Sequence, residues 1–268
     1  MRNRNSFWVR FALVFSGSLA GFLLAAGPAA RAQNPQDTAI SADASEMLGR
    51  MSKALLANDF SFESRTLRAY AGPNGELLHI AHKTRTTVRR PDRLLVDATG
   101  DDGSTKMFYD GIDLVIYSVE GKQYARVHAS GTIEQMLDVA ESHLGVDFPL
   151  ADFLSSDPQK STLTGITSGG QVGTATIDGV RCRHLFFIQS PDLELEVWLE
   201  DNDRALPRRL VVTYQSLPGR PRFFAELSNW DFSSHHADTD FVFQPPPGVV
   251  QVELASRPGI SSSPPAAK

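Results

Sequence analysis

The sequence predicts a mainly β protein with a few helices, an α+β chain whose curled antiparallel sheet forms a half-open β-barrel with helices as a lid. Three observations carry that expectation. Short runs rich in β-branched and aromatic residues are joined by two-residue turn signals, which suits an antiparallel meander rather than βαβ units with long crossovers. Two sizeable stretches carry helical periodicity, each with one apolar stripe that must be buried against the sheet. The runs amount to about ten strands, and a twisted sheet of that size tends to curl.

The chain opens with Arg2, Arg4 and Arg10 around the start of an uncharged run from Phe11 to Ala30, which closes on Ala30-Arg31-Ala32. A basic start, an apolar middle and an Ala-x-Ala end form a cleavable export signal, residues 1–32. Gly17, Gly21, Gly27 and Pro28 make this run a poor bilayer anchor, so no permanent membrane anchor is expected after cleavage. Removal of its four arginines takes the net charge from −5 to −9. The exported chain is expected to comprise a lead-in at 33–43, a single domain at 44–256 and a disordered Pro/Ser/Ala-rich tail at 257–268.

Met47, Leu48, Met51 and Leu55 recur at helical spacing within Ala44 to Ala57. Asp43 followed by Glu46 predicts a capping box there, and Asn58 a stop. Strands are then expected over Phe60 to Tyr70 and Glu76 to Arg89, around the turn Gly72-Pro73-Asn74-Gly75. Arg93 to Ala98, Thr105 to Asp110, Ile112 to Val119 and Lys122 to Val127 continue the meander, separated by Gly- and Asp-rich turns. Thr132-Ile133-Glu134-Gln135 is a capping box opening a second helix, with Ile133, Met136, Leu137, Ala140 and Leu144 in one stripe and Gly145 as its stop. Pro149 to Leu154 predicts a short helix ending before Asp157-Pro158. Thr164 to Thr167 and Gly173 to Ile177 follow as a hairpin turning at Ser168-Gly169-Gly170. Arg181 to Gln189, Leu193 to Glu200, Pro207 to Gln215 and Arg222 to Phe232 complete the strands. Leu195, Val197 and Leu199 alternate with Glu194, Glu196, Trp198 and Glu200, a period of two with one wet face.

A hydrophobic content of 41% and a charged content of 21% are globular values. An acidic balance without a clustered basic face argues against nucleic acid. The single cysteine, Cys182, closes no internal disulfide and builds no thiolate cluster; its strand face carries Val180, His184, Phe186 and Ile188, which predicts a buried, inert thiol. His79 and His82 lie three apart on a strand and point to opposite faces. His235-His236, near Asp238 and Asp240, suit a loop, but nothing supplies the remaining ligands of a metal site. The acidic groups Asp97, Asp101, Asp102 and Glu200, Asp201, Asp203 fall at strand ends, where such residues bond local backbone, and lack EF-hand spacing. No serine elbow, phosphate loop or dinucleotide pattern occurs. No catalytic residue, cofactor or metal is therefore assigned. Trp198 on the glutamate-bearing face, with Phe186-Phe187 and Phe223-Phe224, predicts that the second face is also partly covered or binds something.

The order of several motifs carries a family resemblance. Arg90-Pro91-Asp92-Arg93-Leu94 and then Phe108-Tyr109-Asp110-Gly111-Ile112-Asp113-Leu114 resemble the strand pair of periplasmic lipoprotein carriers of the LolA/LolB type. Gly179-Val180-Arg181-Cys182-Arg183-His184, Trp198-Leu199-Glu200, Leu206-Pro207-Arg208-Arg209 and Phe241-Val242-Phe243-Gln244-Pro245-Pro246 are similar to a family of predicted periplasmic proteins of unknown function in that superfamily. The resemblance runs from about Ala44 to Val252. It implies a LolA-like half-barrel with helices as lid and a hydrophobic cavity accepting acyl chains. Periodicity alone does not separate such a cavity from a packed interior.

The resulting expectation is a periplasmic, non-catalytic binder or carrier of lipid-like ligands. Leu195, Val197, Leu199, Val212 and Tyr214 would line the cavity from the sheet, with Ile133, Met136 and Leu137 covering it from the lid. Its partners would be a lipid or lipidated ligand, or an envelope protein. Two other readings stand beside it: an envelope interaction module without a small ligand, and a metal-dependent hydrolase using His235 and His236.

Overall fold

The computed structural model describes residues 40–72, 74–144 and 148–253. The expected signal segment 1–32, the lead-in as far as 39, the Gly145 stop and the tail 257–268 lie outside the described residues. Runs of alternating residues between short turns give the first half of the sheet. β1 (Asp59–Ala71), β2 (Leu77–Arg89), β3 (Arg93–Gly100), β4 (Gly103–Tyr109), β5 (Asp113–Ser118) and β6 (Gln123–His128) form a meander of adjacent antiparallel strands. The second half, β7 (Ile166–Ile177), β8 (Val180–Gln189), β9 (Leu193–Glu200), β10 (Pro207–Tyr214) and β11 (Arg222–Asp231), is another meander. β11 pairs with β1 and joins the two into one sheet. A two-residue β12 (Val250–Gln251) runs parallel to β6, giving the order β12-β6-β5-β4-β3-β2-β1-β11-β10-β9-β8-β7. Among the described residues the sheet has twelve strands, is mainly antiparallel and curled, and is not closed into a barrel, with β7 and β12 as its edges.

Among the described residues four α-helices lie on one face: α1 (Ala42–Leu55), α2 (Ile133–Leu144), α3 (Ala151–Leu154) and α4 (Pro158–Leu163). α1 starts two residues earlier than its apolar period suggests, because Ser41, not Asp43, is the cap: its Oγ accepts from Ala44 N at 3.3 Å. The α2 capping box forms as expected, with Thr132 N donating to Gln135 Oε1 at 2.9 Å and Gln135 N to Thr132 Oγ1 at 3.3 Å. Asp157-Pro158 does end the preceding helical stretch, but it also opens α4. Proline fits the first turn, and Asp157 Oδ1 accepts from Lys160 N at 3.0 Å.

The largest departure from expectation is β7. Gly169-Gly170 makes no hairpin turn; the strand passes through it as one edge strand with two register shifts. These glycines serve close approach instead. A Cβ on Gly169 would overlap the Phe187 ring and lie 2.6 Å from Phe186 O, and Ser41 N donates to Gly169 O at 3.0 Å.

The helix-covered face buries one apolar cluster that includes Leu48, Phe60, Leu94, Met136, Phe187 and Leu227. The outer face carries two smaller ones. Ile177, Cys182, Trp198 and Val211 form the first. In the second, Phe243 from the C-terminal segment packs on Val115 and Tyr117, the alternate residues of β5. Both faces of the sheet are therefore partly covered.

Candidate functional site

The interface between helices and sheet is where the fold encloses an apolar interior under separable elements. α1 packs on α3 and α4, and α2 on α3. Gln159 of α4 donates to Ser45 O of α1 at 3.0 Å. Among the described residues a cavity of about 20 Å³ lies between these helices and the sheet. Leu48, Phe153, Phe187, Leu195, Val197 and Leu210 line it, with Pro149, Asp152 and Thr162. That volume admits one water-sized group, not an acyl chain. In this closed form the interior is packed.

Polar groups hold the lid at its rim. The Arg90 guanidinium donates from Nε to Leu55 O at 3.1 Å and from a terminal nitrogen to Leu154 O at 2.7 Å. One cation thus joins the C-terminal carbonyls of α1 and α3, where helix dipoles favour positive charge. It also lies 5.8 Å from the Phe60 ring centre. Burial pulls its pKa down, and the nearby Glu134 charge acts against this. Glu134 on α2 accepts from the hydroxyls of Ser155 and Ser156, the latter at 2.7 Å. Burial pushes the Glu134 carboxyl up, but donors from Ser155 and Ser156 and the charge of Arg90 outweigh it and leave the pKa low. Tyr109 is fully buried and its hydroxyl lies 2.6 Å from Gly131 O and 2.9 Å from Ala129 O, fixing the entry to α2. Burial pushes that phenol up to about 12.

Asp152 and Thr162 are the two polar side chains lining the cavity. Asp152 Oδ1 accepts from Ser161 Oγ at 2.5 Å, and burial pushes its carboxyl up despite that bond. The Thr162 hydroxyl is buried without a hydrogen-bond partner among the described residues.

Of the eight expected liners, Leu195 and Val197 reach this cavity. Leu199, Val212, Ile133, Met136 and Leu137 are buried in the same apolar cluster, and Tyr214 packs against its margin. Sequence reasoning misses Leu48 and Phe187, which periodicity places on the correct faces, and the polar set Arg90, Glu134, Asp152 and Thr162. No linear signal links the latter four, since Arg90 and Glu134 find their partners 21 to 64 residues away and only the packing of α3 and α4 on the sheet brings Asp152 and Thr162 to the cavity.

Elsewhere, Cys182 is fully buried and burial raises its thiol pKa. Trp198 sits on the glutamate-bearing face because His184 stacks on it at 3.9 Å and the Arg209 guanidinium lies 5.3 Å from its ring centre. His235 is almost fully exposed, 3.9 Å from Asp59, while His236 lies 3.7 Å from Asp240. The acidic turns are occupied locally: Asp97 by Lys106 at 2.6 Å, Asp102 by His82 at 2.7 Å, and Asp201 by Arg181 and Arg183. No group of three or more His, Cys, Asp or Glu side chains among the described residues is arranged to hold a metal ion. No helix among them is long and apolar enough to cross a membrane.

The described residues thus form an open antiparallel sheet with helices closing over its apolar face. The family described as "Predicted periplasmic protein (DUF2092)" matches residues 44–255, and the chain belongs to that family, which places it in the periplasm. A comparison with curated proteins finds no match. Among solved structures, the chain is similar to an uncharacterized conserved protein from Thermus thermophilus, at 9% identity and TM-score 0.46, covering 79% of this chain and 99% of that one. It is also similar to a LolA superfamily protein from Nitrosomonas europaea, at 10% identity and TM-score 0.38, covering 74% and 96%. A third is the lipoprotein LppX from Mycobacterium tuberculosis, at 16% identity and TM-score 0.44, covering 73% and 99%. These are likenesses of shape and transfer no ligand.

Proposed function

We propose that the protein is a non-catalytic periplasmic binder or carrier of acyl-type hydrophobic ligands, taken up between the sheet and the lid helices α2–α4. The observation that carries this reading is the construction of the lid. Its helices meet the sheet mainly through one apolar cluster, held at the rim by groups such as Arg90 and Glu134 rather than by continuous backbone pairing. Such an interface can part and re-form around a chain. Ligand methylenes would take the place of the helix-to-sheet packing that opening disrupts, at about 0.8 kcal/mol per buried CH₂ before ordering costs. Leu195, Val197, Leu199, Val212 and Tyr214 on the sheet, and Ile133, Met136 and Leu137 on α2, are the surfaces exposed when the lid lifts.

Native mass spectrometry and organic extraction of protein purified from the periplasm test this directly. Bound acyl lipid is the expected result. Protein that is always lipid-free, and that takes up neither a fluorescent fatty acid nor a fluorescent monoacylglycerol, counts against it.

A second reading, an envelope interaction module, is favoured by the β7 edge. That strand pairs with β8 and, among the described residues, has one further bridge, Ile40 to Gly169. An open edge can accept a partner strand. Cross-linking from envelope extracts should then recover one partner, attached through residues 166–177.

A further inference from the structure

Nine residues line the cavity under the lid, and seven of them have no polar side-chain atom. The exceptions, Asp152 and Thr162, come from α3 and α4, the two helices that close it. Thr162 is 7% exposed, and its Oγ1 has no hydrogen-bond partner among the described residues. Buried hydroxyls are nearly always paired, so an orphan on a cavity-lining residue calls for a physical reason. Asp152 gives one oxygen to Ser161 Oγ at 2.5 Å, and a carboxylate retains acceptor sites on the other.

We propose that Asp152 and Thr162 are the polar end of the ligand site and select amphiphiles with an uncharged hydroxyl head, such as a monoacylglycerol, over those ending in a carboxylate. This rests on the carrier reading above and specifies its ligand class. A ligand hydroxyl donates to the second oxygen of the Asp152 carboxylate and accepts from Thr162 Oγ1, so the buried Thr162 hydroxyl becomes paired. A fatty-acid head instead brings a second negative charge beside Asp152 in a water-poor site, where like charges are costly. The polar neighbour that the structure gives the Asp152 carboxylate is the Ser161 hydroxyl, which neutralises no charge.

The test uses delipidated mature protein and two probes of equal chain length, 1-monomyristoylglycerol and myristate, at neutral pH. The wild type should bind the monoacylglycerol about ten-fold more tightly, the size of one charge-assisted hydrogen bond. Thr162→Val should weaken monoacylglycerol binding several-fold. It should also raise the melting temperature of the ligand-free protein, because a buried unpaired hydroxyl is removed; that gain confirms the variant is folded. Asp152→Asn should narrow the ratio by improving myristate binding. Equal affinity for the two probes, an Asp152→Asn variant that shifts both alike, or a Thr162→Val variant that binds monoacylglycerol as the wild type does, overturns this inference and leaves the carrier reading intact. Failure of both probes to bind overturns the carrier reading and the inference with it.

Discussion

Glu134 and Asp152 both belong to the lid, yet their environments push them in opposite directions. The low pKa of Glu134 means its ionised form stabilises the fold; that contribution is present above the ordinary carboxylate range and lost as pH falls through it. The raised pKa of Asp152 means its ionised form costs stability, a cost absent at acid pH and imposed as pH rises past the ordinary value. Glu134→Gln should therefore lose about 0.5–1 kcal/mol near pH 7 as its serine bonds weaken, and Asp152→Asn should gain about 1 kcal/mol. Both effects should fade below about pH 4. Urea midpoints at the two pH values check this, and a shared sign refutes it. Arg90→Ala should cost about 2–4 kcal/mol, since it leaves carbonyls of two helix ends without their charged donor. Arg90→Lys should recover only part, because an ammonium cannot reach both ends with a planar fork. The family motif around Arg90-Pro91 is legible in sequence; that its guanidinium joins α1 to α3, 35 and 64 residues away, is not.

Among the elements, β7 shows how a local signal misleads. Gly169-Gly170 has the composition of a turn, and a turn there would split the strand in two. The ring of Phe187 on the neighbouring strand instead needs the space a Cβ would take. Gly169→Val should lower stability by about 1–3 kcal/mol through this overlap, read as a shift in denaturant midpoint. Gly173, with nothing within 4 Å of its would-be Cβ, should accept alanine with little change. If both substitutions cost the same, close packing is not the reason for glycine in β7. Helix α4 is the opposite lesson: Pro158 has the local character of a stop, and its place at the first turn makes it a start.

For the molecule as a whole, the lid should open before the sheet. α3 and α4 have four and six residues, too short for intrinsic stability, whereas β1, β11 and β10 lie mid-sheet with partners on both sides. Hydrogen exchange should be faster in residues 151–163 than in 207–214, and bound monoacylglycerol should slow the former selectively. Uniform protection would argue for a permanently closed core. Sequence alone determined the antiparallel meanders, the two amphipathic helices, the α2 cap and the periplasmic family, because these depend on period, turn chemistry and motif order within short windows. The tertiary structure alone decided that β11 meets β1, that the interior closes to about 20 Å³, and that Asp152 and Thr162 face it together. Those facts depend on packing between segments far apart in the chain, where burial and pairing, not neighbouring residues, set each side chain's energy.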